Sequence, residues 1–485
     1  MNTRASTDSG ERKACVSLFA AKRRSMSTVT RQKGVSSSTP SALRRWLTSQ
    51  LMTYVGSEQR QLRLRKKREA ARRREGRAHV VEYYHQVDDG YSHLALQALA
   101  KLCARYAIVP QVHLVPALRD ENVPEPELLL QMSRVDAAKV APYYGLDFPA
   151  SQRAPDTQLC GLAAAILAHL PDDRWLDVGP RVSECLWRGD QVGLQALANE
   201  FGSASESEMD AALARGAERR TRLKHYSGAM FWYEGEWYWG VDRLYHLEQR
   251  LTELGALKDS TLPEVAPRPA IAATFPDAAR EMTLEYFPSL RSPYSAVSWD
   301  PTMKLVTDSG IRLEVKPVLP MVMRGVPATL DKGLYIVADA AREARAMKVD
   351  YGRCYDPIGE PVLRGFSLYS WARKQGKGTE LLGAFLEAAF ARGINTNREA
   401  GLREVVRMAG LDWNQAKTHL HDESWRELLE ENRQRIYASG IWGVPSYKLL
   451  DREGREVLSV WGQDRLWLVA ERMRTVGDQI SLGGP

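Results

Sequence analysis

The chain has 485 residues, a length that is too great for one hydrophobic core and that predicts two or three domains. No apolar run reaches the roughly eighteen residues of a membrane span. The five cysteines lie far apart without a Cys-x-x-Cys pair, which argues against a disulfide framework and a zinc knuckle. We therefore expect no export, no metal site, and a location in the reducing cytoplasm.

The net charge of +7 comes from the N-terminal segment alone. Residues 1–79 hold 20 of the 67 Lys and Arg residues and 5 of the 60 Asp and Glu residues, which leaves 47 basic and 55 acidic residues for the rest. Any affinity for nucleic acid or for an anionic membrane is therefore expected in the N-terminal segment.

Residues 1–78 are predicted to form a basic segment that is disordered apart from one short helix. Residues 1–40 are rich in Ser, Thr, Lys and Arg, 41–56 have the spacing of an amphipathic helix, and 59–77 are strongly basic. Two interpretations stay open for 41–77. One is a weak peripheral contact with an anionic membrane or nucleic acid, and the other is a solvated helix or tail.

Residues 79–252 are predicted to form a first α/β domain. His79–His85 alternates as a strand does, a helix follows from Tyr91, and 109–115 is a second strand. The strand–helix–strand order predicts parallel pairing. A helical stretch over about 127–218 precedes a hairpin at 229–239 and a last helix.

The same series of elements then occurs a second time. Residues 253–278 are a Pro-rich linker, and 477–485 are a tail. Residues 279–476 repeat the order of the first domain, with predicted strands that include 311–318, 446–450 and 456–461. Trp239-Gly-Val-Asp-Arg-Leu244 matches Trp461-Gly-Gln-Asp-Arg-Leu466, and Asp136-Ala-Ala-Lys139 matches Asp339-Ala-Ala-Arg342. We therefore predict two tandem copies of one α/β domain, each with a helical insertion.

The second copy places Ser292-Pro293 where a strand becomes a helix. Serine is a good N-cap and proline is tolerated at the first helical position. The free N–H groups of such a helix end favour a negative charge. Ser292 has either a binding role at this position or the purely structural role of a cap.

Four motifs of the second copy lie in the order and spacing of one family: Ser292-Pro-Tyr-Ser295, Lys332-Gly-Leu-Tyr-Ile336, Gly443-Val-Pro-Ser-Tyr447 and Gly462-Gln-Asp-Arg465. Residues 279–476 resemble the 2-hydroxychromene-2-carboxylate isomerases and kappa-class glutathione transferases. These belong to the DsbA-like branch of the thioredoxin fold, and 79–252 is a weaker copy. The resemblance implies a fold of two tandem thioredoxin-like domains and glutathione as cofactor.

The resemblance also implies a role for individual residues. Ser292 would donate a hydrogen bond to the glutathione sulfur as the catalytic residue, and Val444 beside a cis Pro445 would pair with the tripeptide backbone. The other implied contacts with glutathione are made by Arg291, Lys332, Gln463 and Asp464. A lowered thiol pKa raises the thiolate fraction by only about thirtyfold, so positioning of the second substrate would supply the remaining acceleration.

The first copy is predicted to lack thiol chemistry because Asp89 stands where the second copy has Ser292. Its polar group of His85, Asp88, Asp89 and His93 is either an acid–base site or a charged helix cap with surface histidines. The hairpin aromatics around Trp239 are expected to pack between the domains.

Two functions remain open from the sequence. One is a glutathione-dependent isomerase or transferase that acts on a hydrophobic aromatic electrophile. The other is a non-catalytic thioredoxin-fold protein that binds a partner through its cleft or its basic N-terminal arm. Disulfide exchange, a third idea, is disfavoured because the cysteine pair of the oxidoreductases is absent.

Overall fold

The computed structural model describes residues 39–117, 122–150, 152–326 and 328–481. The prediction of disorder for 1–38 therefore lies outside the described residues. The described chain starts with two helices, α1 (Ala42–Gly56) and α2 (Glu58–Arg74).

In its described residues, the first domain contains four strands and seven α-helices. In chain order these are β1 (His79–His85), α3 (Gly90–Arg105), β2 (Ile108–Leu114), α4 (Pro126–Val140), α5 (Thr157–His169), α6 (Val178–Arg188), α7 (Gln191–Phe201), α8 (Glu206–Arg222), β3 (Met230–Tyr233), β4 (Glu236–Trp239) and α9 (Leu244–Glu253). The predicted strand, helical stretch, hairpin and last helix are confirmed.

The second domain follows the linker, and the part of it that the structure describes has four strands and eight α-helices. These are β5 (Thr283–Phe287), α10 (Pro293–Ser309), β6 (Arg312–Val315), α11 (Leu330–Met347), α12 (Glu360–Lys374), α13 (Gly378–Phe390), α14 (Glu399–Met408), α15 (Trp413–Ala416), α16 (Trp425–Ala438), β7 (Ser446–Leu450), β8 (Glu456–Trp461) and α17 (Leu466–Ser481). The predicted tail at 477–485 is wrong for 477–481, because α17 continues to Ser481.

Each domain is built on a four-stranded sheet with the same arrangement. The strand orders are β2-β1-β3-β4 and β6-β5-β7-β8. In both sheets the first two strands pair in parallel and the remaining neighbours pair antiparallel. The parallel pairing predicted from the strand–helix–strand order is therefore confirmed in both halves.

The central strand of each sheet buries a tyrosine that ties it to the following helix. Tyr83 on β1 and Tyr286 on β5 are fully buried. Their hydroxyls donate to the carbonyl oxygens of Ser92 and Ser295, in the first turns of α3 and α10. This contact fixes where each helix begins relative to the sheet edge.

The N-terminal helices pack against both domains, so the prediction of a disordered segment is wrong for the described part of 1–78. Helix α1 lies on α11 and on the chain before α12. Arg45 is buried and donates to the carbonyl oxygen of Asp356 at 2.7 Å, and Arg345 donates to the carbonyl oxygen of Gly56 at 3.1 Å.

Helix α2 is held by carboxylates of the β3–β4 hairpin. Arg65 makes two 2.7 Å hydrogen bonds to Glu236, and Arg77 pairs with Glu234. Arg68 donates to the carbonyl oxygen of Glu234 at 3.0 Å. The basic run is ordered because carboxylates far along the chain neutralise part of its charge, which composition alone does not reveal.

Arg65→Ala is expected to lower the free energy of unfolding by about 1–3 kcal/mol, because Glu236 would lose a bidentate partner in a largely buried place. Amide hydrogen exchange in α2 should speed up at the same time. Arg63→Ala is the matched control on the same helix, since Arg63 is exposed and bonds only the Gln59 carbonyl oxygen. Equal exchange rates in the two variants would contradict the packing role of Arg65.

Within the described residues, no helix has the length and apolar content that crossing a membrane requires.

Candidate functional site

Helix α10 begins at the position that the sequence predicts. Ser292 is its N-cap and accepts a hydrogen bond from the Ser295 N–H at 3.1 Å, and Pro293 is the first helical residue. The structural role of Ser292 as a cap is therefore confirmed. Its predicted contact with a glutathione sulfur stays a prediction.

The second predicted feature is the cis peptide bond at Val444–Pro445, which is present. Val444 and Pro445 line a cavity of about 50 Å³ together with Tyr294, Gln463 and Asp464. The opposite wall comes from the first domain and includes Tyr91, Trp239 and Arg243. A cavity of this volume has room for only a few water molecules, whereas sites for small-molecule ligands measure about 300–1,000 Å³.

Arg243 of the first domain fills the space beside Asp464. Its guanidinium donates to Asp464 at 2.6 Å and to Asp339 at 3.0 Å. Asp464 therefore has an internal cation where the resemblance implies the amino group of glutathione. The expected contact between Asp464 and a ligand in this small cavity is not available while this pair is formed.

Arg465 of the second domain makes the reciprocal contacts. It donates to Asp136 at 2.7 Å and to both oxygens of Asp242 at 2.7 Å. Tyr91 donates to Asp136 at 2.9 Å, and Tyr294 donates to Asp339 at 2.8 Å. Each domain thus inserts one arginine among the acidic groups of the other, and we call these contacts the arginine exchange.

The arginine exchange is almost completely buried. The side chains of Arg243 and Arg465 are each 3% exposed. Burial disfavours the charged carboxylate of Asp339, but Arg243 and Arg342 outweigh it and hold its pKa below the ordinary value. Burial and the neighbouring Asp464 raise the pKa of Asp242 despite Arg465. The charges are therefore compensated only as long as both domains stay together.

Two further residues of the predicted glutathione site have internal partners. Arg291 donates to both oxygens of Asp356, at 2.8 and 3.1 Å. Lys332 is buried, and its ammonium group donates to the carbonyl oxygen of Asn122 in the first domain at 2.6 Å. Other parts of the fold thus bind both cations, and the predicted contacts of Arg291 and Lys332 with glutathione stay predictions.

The polar group of the first domain is a buried cluster. Asp89 caps α3 by accepting from the N–H groups of Tyr91 and Ser92, and burial raises its pKa to about 6. His85 and His93 are 1% and 2% exposed, so the expectation of surface histidines is wrong. His93 bonds the Ser183 hydroxyl at 2.8 Å, since the helical insertion covers this face.

Within the described residues, no group of three or more His, Cys, Asp or Glu side chains is arranged to hold a metal ion.

The first domain has Ala229 at the position that corresponds to Pro445 of the second domain. The carbonyl oxygen of Ala229 accepts from the Gly240 N–H at 2.7 Å, as that of Pro445 accepts from the Gly462 N–H at 2.9 Å.

Comparison with known protein families identifies the second domain. The family model of the DSBA-like thioredoxin domain matches residues 283–474. Residues 283–474 form a DsbA-like thioredoxin domain. The match covers β5 to α17, including the cap at Ser292 and the cis Pro445.

Several solved structures are similar to this chain. The isomerase for 2-hydroxychromene-2-carboxylate is 17% identical, with 42% of this chain and all of that chain covered and a TM-score of 0.35. A probable DsbA oxidoreductase from Streptomyces coelicolor is 18% identical, with 42% and 92% covered and a TM-score of 0.32. The cytosolic disulfide reductase DsbM from Pseudomonas aeruginosa with GSH is 16% identical, with 41% and 99% covered and a TM-score of 0.32. No curated protein sequence matches the chain.

The DsbA-like domain also borders a much larger cavity of about 680 Å³. Its walls are the linker segment 268–273, the middle of α10, the end of α11, and the chain around Gln463 to Trp467. Tyr144, Asp242 and Tyr245 of the first domain complete it. The sequence does not reveal this site, because the site depends on how the linker returns across both domains.

The large cavity has an acidic lining with an unpartnered acceptor. Six carboxylates and three basic side chains line it: Asp242, Asp300, Asp308, Glu343, Asp350 and Asp464 against Arg268, Lys304 and Lys348. Gln463 is 3% exposed and donates through Nε2 to Glu343 at 2.8 Å, while its Oε1 atom has no hydrogen-bond partner. Among the predicted site residues, Gln463 and Asp464 line both this cavity and the small one.

Proposed function

We propose that this chain is a non-catalytic binding protein in which two thioredoxin-type domains are paired through the edges where thiol chemistry would occur. The arginine exchange carries this proposal. Arg243 takes the place beside Asp464, and only about 50 Å³ remains next to Val444 and Pro445. A tripeptide does not fit there, whereas the 680 Å³ cavity has the size of a ligand site.

We also propose that residues 79–253 are a second, diverged copy of the DsbA-like domain. The same strand order in both sheets and the matching tyrosines Tyr83 and Tyr286 support this proposal. So does the reciprocity of the arginine exchange, which is the pattern of a two-fold dimer interface. The chain then contains an internal dimer, and residues of both ancestral sites are buried in the interface between its two domains.

The ligand class that fits the large cavity is a small organic cation with an apolar body. The unpartnered Oε1 of Gln463 requires a hydrogen-bond donor. Asp300 and Asp350 supply carboxylates in the same cavity. Leu305, Met347 and Trp467 offer apolar surface between these groups. A primary ammonium group satisfies the acceptors, and an alkyl chain covers the apolar wall.

Calorimetric titration with hexylamine, hexanol and hexanoate tests this proposal, because the three probes have similar alkyl chains and differ in the charge of their head group. Hexylamine is expected to bind at least about tenfold more tightly than the other two. Leu305→Trp should abolish its binding by filling the cavity. Asp300→Asn should weaken it severalfold, while Asp277→Asn, at an exposed carboxylate outside the cavity, should not. Undetectable hexylamine binding, or equal binding in Leu305→Trp, would overturn the cavity as the site.

The second candidate is a glutathione-dependent isomerase or transferase of the family that the second domain resembles. The cap at Ser292, the cis Val444–Pro445 bond and the partial exposure of Asp464 favour it. This function requires Arg243 to leave Asp464 so that the tripeptide can enter. Ser292 would then hold the glutathione thiolate while it adds reversibly to an aromatic electrophile.

Turnover of chlorodinitrobenzene in the presence of glutathione tests the second candidate. We expect no rate above that of the uncatalysed reaction. Catalysis that Ser292→Ala abolishes, but that Ser309→Ala at the other end of α10 leaves unchanged, would favour the enzyme instead.

The four described cysteines, Cys103, Cys160, Cys185 and Cys354, are unpaired, which supports a reducing cytoplasm for either function.

A further inference from the structure

Helix α1 exposes one continuous apolar face. Its outward side chains are between 41% and 66% exposed, and they recur with helical spacing: Leu43, Trp46, Leu47, Leu51 and Tyr54. Large apolar side chains that cluster in this way on a surface mark an interaction site, whereas single exposed ones do not.

The orientation of α1 is fixed by its opposite face. Arg45, Ser49 and Gly56 are buried, and they contact Asp356 and α11. The hydroxyl of Ser49 accepts from the Asp356 N–H at 3.0 Å. Because these contacts lock the inner face, rotation of the helix cannot bury the outer one against the described part of the fold.

Basic side chains are frequent on the two N-terminal helices. Seven exposed Lys and Arg residues lie on α1, on α2 and just after α2, with two exposed carboxylates, Glu58 and Glu75, among them. Three of the seven, Arg73, Arg74 and Arg77, pair with Glu69, Glu75 and Glu234, and the other four are Arg44, Arg63, Lys66 and Lys67. Arg60 lies over the ring of Tyr54 at 5.0 Å from the centroid, so a cation also stands at the edge of the apolar face.

We propose that α1 and α2 form a docking surface for an anionic lipid membrane. Trp46, Tyr54 and the leucines enter the headgroup region, and the basic side chains contact the anionic headgroups. A helix with an apolar face, interfacial aromatics and a basic surround lies in the plane of such a surface. The docking is independent of the ligand in the large cavity.

A second copy of the chain is a poorer occupant for two physical reasons. A two-fold dimer through α1 would bring two strongly basic surfaces together, which repel each other. The face spans the 15 residues of α1, so it is about 22 Å long and covers roughly 200 Å², against about 800 Å² per partner in a stable dimer. An anionic bilayer instead neutralises the charge and accepts an insertion of this size.

Flotation of the full chain with vesicles tests the proposal. We expect binding to vesicles of phosphatidylcholine and phosphatidylserine in equal parts, and at least about tenfold less binding to pure phosphatidylcholine. Leu47→Glu should reduce binding by about tenfold or more. Leu330→Glu is the matched control, because Leu330 is 68% exposed at the start of α11. The double substitution of Lys66→Glu and Lys67→Glu should weaken vesicle binding, and it should also make the remaining binding less sensitive to salt concentration.

Three outcomes would overturn the docking surface. The first is equal vesicle binding by Leu47→Glu and Leu330→Glu. The second is a dimer in light scattering that Leu47→Glu dissociates, which would assign the face to self-association. The third is tighter binding to single-stranded RNA than to anionic vesicles, with no effect of Leu47→Glu on the RNA complex. Thermal unfolding of each variant confirms that the comparison is made on folded protein.

Discussion

Arg465→Ala is expected to lower the free energy of unfolding by about 3–5 kcal/mol. The substitution leaves Asp136 and Asp242 without their cation in the interior, and Asp242 retains only a 3.4 Å contact from the Tyr144 hydroxyl. Arg243→Ala should cost less, because Asp339 keeps Arg342 and Asp464 is partly exposed. Equilibrium denaturation in urea measures both differences.

Arg455→Ala is the control for the arginine exchange. Arg455 pairs with Asp451 in the turn between β7 and β8, where its side chain is 73% exposed, so its loss should leave the free energy of unfolding almost unchanged. Asp242→Asn added to Arg465→Ala should recover part of the lost stability, because it removes one of the unpaired charges. A loss below about 1 kcal/mol for Arg465→Ala would contradict the structural role of the exchange.

Acidification from about pH 6.5 to pH 5 is expected to remove about 2 kcal/mol of stability for each buried histidine of the first domain. Burial lowers the pKa of His85 to about 3, of His93 to about 4 and of His225 to about 3. The unfolded chain binds protons on these side chains below about pH 6.5, whereas the folded chain does not until much lower pH. Stability is therefore present above this window and falls as the pH falls through it.

Asp89 acts in the opposite direction over part of the same range. Burial raises its pKa to about 6, so the folded chain takes up a proton there before the unfolded chain does, which favours the folded state on acidification. Urea denaturation at several pH values separates the contributions. His85→Gln should reduce the pH dependence of the free energy of unfolding by the equivalent of about one bound proton. Identical slopes in His85→Gln and the wild type would contradict the buried, neutral state of His85.

The sequence predicts the sheet framework well because strand patterns are local. His79–His85, Ser446–Leu450 and Glu456–Trp461 are strands with the predicted bounds. Predicted strand 311–318 shortens to Arg312–Val315, since Pro317 near its end has no N–H to pair. Alternating apolar residues and turn residues specify these elements without reference to the rest of the chain.

Some features of the candidate site depend on neighbouring residues, and others depend on contacts between distant parts of the chain. Ser292 and Pro445 have the predicted cap and cis bond, since both depend on a few neighbouring residues. The contact of Arg243 with Asp464 spans 221 positions in the chain, and it forms only because two domains pair. Likewise, His93 is buried by Ser183 of the helical insertion and not by its own neighbours.

The most direct measurement is a calorimetric titration of the wild-type chain with glutathione at millimolar concentration. If the arginine exchange closes the site beside Val444 and Pro445, no saturable heat is expected, and neither Asp464→Ala nor Ser292→Ala should change the trace. Saturable binding that both substitutions abolish would contradict the closed site and would favour glutathione chemistry in the second domain.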